Sequence, residues 1–152
     1  VSFFGGHAAA AGLTIEKQHF EEFKRVFIEL IAQSDDTLFQ AVLWTDDELP
    51  AEDFQLQTVD TIEQLGPWGQ KFPAPVFEGR FKVLDHRWLK EVHLKLKLAL
   101  PNGQSVDAIA FNARDKFTFD SRQDTVYVVY ELDKNQFNGN VSLQLHMLHL
   151  AH

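Results

Sequence analysis

Apolar residues in the first 65 positions recur every three or four residues, which is the spacing of an amphipathic helix. This pattern predicts one helix over residues 16–33 and a second over 52–65, with a short buried strand at 40–44 between them. The first helix places five apolar residues on one stripe that is expected to pack in a core: Phe20, Phe23, Phe27, Leu30 and Ile31. The second is expected to bury five more: Phe54, Leu56, Val59, Ile62 and Leu65.

The period changes to two from residue 76 onward, which is the spacing of half-buried β-strands. An Asn-Gly pair at 102–103 predicts a hairpin turn, and residues 112–122 are predicted to form a short helix or a loop. Five strands with one long connection favour a small Greek-key barrel of the OB type over a β-sandwich, although strand order alone leaves the topology open. The predicted strands cover residues 76–83, 92–100, 106–111, 126–132 and 141–150.

A ten-residue stretch at 66–75 separates the two patterns. It holds three prolines and two glycines, which continue neither a helix nor a central strand. This composition predicts a joint between two domains. Trp68 and Phe72 are expected to pack the two halves together, with stacking on a nucleobase as the alternative.

Composition narrows the class of protein. With 152 residues, 45% hydrophobic content and 14 phenylalanines, the chain can build a core and is not expected to be disordered. It has no cysteine, which excludes disulfides and thiolate metal sites and suits the cytoplasm. No apolar run reaches the ~20 residues of a membrane span. Because the chain begins with Val1 and its only methionine is Met147, part of the first domain is expected to lie outside this sequence.

Charge is distributed unevenly along the chain, whose net charge is −8. Residues 1–65 carry three basic and thirteen acidic side chains, a net charge of −10. Residues 66–152 carry eleven basic and nine acidic side chains, a net charge of +2. Halves that differ this much in charge are expected to have different surfaces and different partners.

The first candidate site is the glycine-rich stretch at residues 5–12, which reads Gly-Gly-His, four alanines and a glycine. Glycines permit a tight turn, and alanines are the best helix formers, so the stretch predicts a turn that opens a short helix. Unpaired amides at a helix N-terminus favour an anion. Close packing of small residues is the alternative. The predicted phosphate-facing residues are Gly5, Gly6, His7 and Ala8.

The second candidate site is a row of basic side chains on the polar sides of the first two predicted barrel strands. Because these strands are hairpin neighbours, their side chains are expected to share one exposed face. Such a face can contact nucleic-acid phosphates, or it can be ordinary solubility patterning. The residues are Arg80 and Lys82 on the first strand, His93, Lys95 and Lys97 on the second, and Arg87 and Lys90 in the predicted connecting loop.

Three aromatic residues of the barrel strands are candidates for stacking on a base: Phe111, Tyr127 and Tyr130. An aromatic residue in a barrel strand is commonly part of the core instead. Tyr127 is out of phase with Val126 and Val128, so it is the one expected to face outward.

Two clusters suggest metal ligands but have simpler explanations. The carboxylates at 46–48 could bind a divalent cation, and a solvated loop is favoured because no further ligand lies nearby in sequence. His146 and His149 are an odd number of residues apart, so on a strand they are expected to point to opposite faces, with His152 at the terminus. No metal ligand is assigned.

The motif Gly-Gly-His-x-x-Ala-Ala-Gly at residues 5–12 is similar, at every fixed position, to the signature of the DHHA1 domain that accompanies DHH phosphoesterases. Ser-Phe-Phe at 2–4 and Leu-Thr-Ile at 13–15 resemble the bacterial RecJ branch of that family. The joint is also similar, with Phe72-Pro73 where Asn-Pro is usual. The resemblance covers essentially the whole chain.

This resemblance implies an α+β fold: a partial α/β DHHA1 subdomain at 1–65, a joint at 66–75 and a five-stranded OB-type β-barrel at 76–152. It implies the C-terminal part of a 5′–3′ single-stranded-DNA exonuclease of repair and recombination. In that family, Mn²⁺ or Mg²⁺ is held by aspartates and histidines of a preceding domain, whose Asp-His-His motif is absent here. No catalytic residue is therefore assigned, and this chain alone is expected to be inactive.

The resemblance further implies single-stranded DNA and single-stranded-DNA-binding protein as partners, no membrane association and a monomer. Two alternatives stay open. One is a phosphoesterase of cyclic dinucleotides or very short oligonucleotides, against which the appended barrel argues. The other is a non-enzymatic OB module that docks proteins.

Overall fold

The computed structural model describes residues 3–7, 10–35, 42–69 and 71–151. The chain divides into two compact units, Val1–Val42 and Leu43–His152. The DHHA1 and barrel boundaries implied by the resemblance stay a prediction. Within the described residues, no helix is long and apolar enough to cross a membrane.

The first unit begins with an antiparallel hairpin, in which β1 (Phe3–His7) pairs with β2 (Ala10–Thr14). The prediction that the alanines open a helix is wrong, because Ala10 and Ala11 lie in β2. Helix propensity is a weak preference over so few residues, and pairing with β1 satisfies the backbone instead. A Cβ atom at Gly6 would lie 2.8 Å from the Cβ of Ala11. The small residues at these positions thus allow the two strands to approach closely.

The predicted first helix is confirmed as a short 3₁₀ turn at Lys17–His19 followed by α1 (Phe20–Ala32). The burial expected for its apolar stripe is wrong. Phe20, Phe27 and Leu30 are 49%, 50% and 60% exposed, because no described element covers this side of the helix. Phe23 and Phe27 stack on each other with ring centroids 5.7 Å apart, which hides only part of their surface.

The predicted strand at 40–44 is also wrong where the structure describes it. Residues 42–44 have no regular structure and are exposed, while 40 and 41 lie outside the described residues. Backbone pairing begins just after them. The Asp46 N–H donates to the carbonyl of Val76 at 2.6 Å, and Glu48 forms a parallel bridge with Glu78. The acidic segment is therefore attached to the start of the barrel.

The predicted second helix is confirmed as a 3₁₀ turn at Ala51–Asp53 followed by α2 (Leu56–Leu65). Phe54 and Val59 are buried as expected, at 7% and 2% exposure. Leu65 is 62% exposed, contrary to the prediction, because the helix ends there and no further turn continues its packed stripe. In the joint, the Trp68 ring packs against Phe72 with centroids 4.8 Å apart.

Five strands follow, as predicted, in an OB-like arrangement. Each pairs with two others in the order β3-β4-β5-β7-β6, and β6 pairs back to β3; the β5–β7 pair is parallel and the others are antiparallel. A short helix, α3 (Ala113–Lys116), connects β5 to β6. The strands are β3 (Phe77–Leu89), β4 (His93–Ala99), β5 (Ser105–Ala110), β6 (Thr125–Phe137) and β7 (Asn140–Ala151).

The core lies inside these strands. Leu94, Leu96 and Leu98 alternate inward from β4 and are at most 1% exposed, and each buried leucine contributes roughly 1.5–3 kcal/mol. Tyr130 is fully buried beside the ring of Phe81, at a centroid distance of 5.7 Å. This stretch of β4 matches the alternation read from the sequence.

Turns between the strands follow the expected chemistry. Gly103 has φ +82° in the predicted Asn-Gly turn, a conformation that glycine adopts without a steric penalty. Lys90 and Glu91 both have positive φ and connect β3 to β4. The prediction that Arg87 lies in this connection is wrong, because β3 continues to Leu89.

Candidate nucleic-acid interface

We call the side of the barrel strands that points away from the core the outer face. Both halves of β3 carry basic side chains on this face. Arg80 and Lys82 alternate with buried neighbours in the first half. The register with β4 then shifts between Val83 and Asp85, which marks a β-bulge. One extra residue moves every later side chain to the opposite side of a strand. The bulge thereby brings Arg87 to the outer face.

The register aligns Arg87 with Lys95 and Asp85 with Lys97. On the other side of β4, Lys97 is opposite Asp107. We call the resulting surface depression the basic groove. It is lined by Asp85, His86, Arg87, Lys95, Leu96, Lys97 and Asp107.

Carboxylates partly neutralise this groove. The Lys95 ammonium lies 2.6 Å from an Asp107 carboxylate oxygen, and the Lys95 side chain is only 16% exposed. Lys97 is exposed and forms no ion pair with any described residue. The predicted row of basic side chains is therefore present, but the carboxylates of Asp85 and Asp107 lie among them.

Arg80, Lys82 and Arg87 are likewise exposed and form no ion pair in the described part of the chain. Together with Lys97 they give the outer face four cations that no carboxylate holds. Exposed cations of this kind are the groups that attract a phosphate backbone.

Tyr127 faces outward, as predicted, but its ring is engaged. The Arg80 guanidinium lies 5.8 Å from the ring centroid, a cation–π contact. The Tyr127 hydroxyl donates to a Glu78 carboxylate oxygen at 2.7 Å, and Thr45 donates to the same oxygen at 2.8 Å. The hydrogen bond to Glu78, followed by burial, raises the pKa of Tyr127. The role of Tyr127 in DNA binding stays a prediction.

The other two aromatic candidates differ in their exposure to solvent. Tyr130 is fully buried in the core, and no described residue is hydrogen-bonded to its hydroxyl. Phe111 is 47% exposed on the outer face, directly after β5. Its ring lies 5.5 Å from that of His93 and 5.5 Å from that of His146, both edge to face. Sequence reasoning placed His93 in the basic row and weighed His146 as a metal ligand, and it did not predict that either contacts Phe111.

The predicted phosphate turn has a different local structure. Gly5, Gly6 and His7 are exposed residues of β1, paired with Gly12, Ala11 and Ala10. Ala8 lies outside the described residues. No helix begins in the described part of this stretch, so the physical argument for an anion at a helix N-terminus does not hold. The assignment of these residues to phosphate stays a prediction drawn from the family signature.

The acidic segment at 46–48 uses its polar groups for backbone pairing. An Asp46 carboxylate oxygen accepts the Val76 N–H at 3.0 Å, and an Asp47 carboxylate oxygen accepts the Glu48 N–H at 2.9 Å. The first bond attaches the segment to the residue that precedes β3, and the second lies within the segment. They give it a structural role within the described residues.

The prediction that His146 and His149 point to opposite faces is wrong. The register between β6 and β7 shifts after Val129, so that His149 aligns with Val129 and His146 with Glu131. The extra residue in β7 cancels the odd spacing and places both histidines on the outer side. His146 lies 3.3 Å from a Glu131 carboxylate oxygen, and His149 packs against Phe117. His152 is outside the described residues.

A family model described as the RecJ OB domain matches residues 45–149. The chain is 42% identical over 146 residues to the single-stranded-DNA-specific exonuclease RecJ of Haemophilus influenzae, covering 93% of this chain and 25% of that protein. It is 41% identical over 149 residues to the exonuclease of the same name from Dickeya dadantii, covering 97% and 26%. The chain thus spans about a quarter of the length of these relatives.

The fold is also similar to solved structures. RecJ from Thermus thermophilus in complex with Mn²⁺ superimposes with a TM-score of 0.76 at 25% identity, covering 99% of this chain and 22% of that one. The Mg²⁺ complex of the same protein gives a TM-score of 0.75 at 24% identity, covering 99% and 23%. The likeness therefore extends over both units of the chain.

Proposed function

The chain belongs to the RecJ OB-domain family, and on that premise we propose that its barrel holds the phosphate backbone of single-stranded DNA for a 5′–3′ exonuclease. The curated relatives are named single-stranded-DNA-specific exonucleases. Because the chain corresponds to about a quarter of them, its contribution is to hold the strand, and the hydrolytic activity belongs to the whole protein.

The observation that carries this proposal is the register between β3 and β4, which brings basic side chains together on the outer face. A bulge in β3 brings Arg87 beside Lys95, and Lys97 follows on the same side of β4. Arg80 and Lys82 extend the row toward β6. OB barrels bind single strands with a basic groove for the backbone and aromatic side chains for the bases. The arrangement supports strand binding on this face despite the net charge of −8.

The described residues do not fit the Mn²⁺ or Mg²⁺ named for the related structures. Among residues 3–7, 10–35, 42–69 and 71–151, no group of three or more His, Cys, Asp or Glu side chains could hold a metal ion. Metal-assisted hydrolysis is accordingly assigned to the rest of the whole protein. We also propose that the whole protein acts in DNA repair and recombination and that it binds single-stranded-DNA-binding protein.

The test is a titration of the chain against fluorescent oligo-dT at several salt concentrations. If four exposed cations contact phosphates, log K should fall linearly with log salt with a slope of about −3, at roughly −0.7 per phosphate on a single strand. A protein-docking module should bind little oligo-dT at any salt, and that result would contradict the proposal. Competition by a cyclic dinucleotide would instead favour a small-nucleotide phosphoesterase.

Strand polarity requires the full-length protein. Single strands labelled at the 5′ end and at the 3′ end should be degraded from the 5′ end in the presence of Mn²⁺. Products released first from the 3′ end would contradict the proposed polarity without affecting strand binding by the barrel.

A further inference from the structure

Phe111 is an exposed aromatic ring on the outer face, near the basic groove but outside its lining. It follows Ala110, which pairs with Leu94, so it lies beside His93 where β4 begins. His93 and Lys95 are alternate residues of β4, about 7 Å apart along the strand. A strand whose phosphates contact Lys95 and Lys97 therefore passes within one nucleotide's reach of this ring.

The surroundings of Phe111 hold it in place. The Asn112 N–H donates to Nδ1 of His93 at 3.0 Å, and the chain turns sharply there, with φ +52° at Asn112. On the other side, Nδ1 of His146 lies 3.3 Å from a Glu131 carboxylate oxygen. Phe111 contacts both imidazole rings edge to face at 5.5 Å. We call Phe111, His93 and His146 the Phe111 cluster.

The hydrogen bond to His93 also determines which group that side chain offers. A neutral imidazole that accepts at Nδ1 carries its proton on Nε2. His93 therefore presents an N–H donor beside an apolar ring. Every nucleobase has an aromatic face and acceptor atoms on its edge. An unpaired base can therefore stack on an aromatic ring and accept a hydrogen bond from a neighbouring donor.

We infer that the Phe111 cluster stacks one unpaired base of the strand whose phosphates lie in the basic groove, with His93 as donor to that nucleotide. The inference rests on the proposed function. Of the three aromatic candidates, Phe111 is the accessible one, because Arg80 lies over the Tyr127 ring and Tyr130 is buried in the core. A ring already held between two side chains loses little conformational freedom when a base binds.

Two ligands distinguish base stacking from phosphate contact: a strand with bases and a strand without them. The chain and its Phe111→Ala variant are titrated with oligo-dT and with an abasic strand of equal length. Since stacking is worth ~1–3 kcal/mol per base, Phe111→Ala should weaken oligo-dT binding by about 5- to 150-fold and leave the salt slope unchanged. On the abasic strand, the variant and the unaltered chain should bind equally.

Two further variants serve as controls. Phe111→Tyr keeps an aromatic ring and should retain the affinity for oligo-dT. Phe137→Ala removes another exposed ring, 68% accessible near the end of the β6–β7 hairpin, and should change nothing. Circular dichroism should show the same fold for all variants, because both phenylalanines are exposed.

The inference is overturned if Phe111→Ala binds oligo-dT like the unaltered chain, or if it loses affinity equally for the abasic strand. Either result, with a steep salt dependence retained, would leave the proposed backbone binding intact. If the unaltered chain binds no oligo-dT even at low salt, both the proposed function and this inference fail.

Discussion

At the scale of single residues, the neighbours of a charged side chain decide what it can bind. Lys95 and Lys97 occupy equivalent positions on the outer face of β4, yet only Lys95 is paired, to Asp107 at 2.6 Å. A phosphate that contacts Lys95 must share it with that carboxylate, whereas Lys97 is available directly. The sequence pattern shows two equal lysines, and their environments make them different.

We expect replacement of both lysines by alanine to weaken binding to oligo-dT and to flatten its salt dependence. Each lost phosphate contact should reduce the slope of log K against log salt by about 0.7. The change for the pair should thus be at most about 1.4, with Lys97→Ala alone giving the larger single effect. Fluorescence anisotropy at four salt concentrations measures both quantities.

Lys116→Ala is the matched control, because Lys116 is an exposed cation on α3 and does not line the basic groove. Asp107→Asn supplies a change in the opposite direction, since it releases Lys95 and should strengthen binding. If the double lysine variant binds with unaltered affinity and slope, the groove is not the contact surface.

At the scale of secondary-structure elements, a single extra residue in β3 assembles the site. Phe81 and Val83 point inward before the register shift, and Asp85 and Arg87 point outward after it. These four positions are all odd-numbered, so an uninterrupted strand would direct all of them to one side. Because of the bulge, Phe81 and Val83 of this strand pack in the core, and Asp85 and Arg87 line the groove.

Deletion of Leu84, the residue that the register skips, should be tolerated, because its side chain is 51% exposed. Without it, Asp85 follows Val83 directly, and regular alternation still directs Val83 inward and Asp85 and Arg87 outward. Deletion of His86, which is paired with Leu96, should instead turn Asp85 or Arg87 toward the core, and burial of an unpaired charge should cost about 3 kcal/mol or more. The urea midpoint measured by circular dichroism separates the two deletions, and equal midpoints would contradict this role of Leu84.

At the scale of the whole molecule, charge and apolar surface are divided between regions of the chain. The acidic side chains are concentrated before residue 66, and the four unpaired cations of the outer face lie on β3 and β4. The apolar stripe of α1 is exposed in this chain, which spans about a quarter of its curated relatives. The first unit carries the DHHA1-like signature, and its proposed phosphate role applies only to the whole protein.

In the full-length protein we expect His7→Ala to lower turnover of single-stranded DNA while the fold is retained. Removal of one donor from a reacting phosphate should reduce kcat by about 100-fold. His19→Ala, an exposed histidine in the same unit, should leave kcat unchanged. Full activity in the His7→Ala enzyme would assign a structural role to this signature residue.

The secondary structure was largely predictable because its signals are local. Three- and four-residue spacing located α1 and α2, alternation located the five barrel strands, and an Asn-Gly pair located one turn. The family was also readable, because the signature at 5–12 and the joint at 66–75 lie within short stretches. The helix expected after Gly6 was not, because Ala10 and Ala11 pair with residues of β1 and do not form helical hydrogen bonds.

The sequence by itself therefore determined the elements, the family and the uneven charge. Only the tertiary structure decided which side chains meet: the β3 bulge turns Arg87 toward Lys95, the β7 shift places His146 and His149 on one side, and Phe111 lies between two histidines distant in sequence. The physical reason is that hydrophobic period is a property of one segment. Register, bulges and exposure depend on the partner strand, which no single segment specifies.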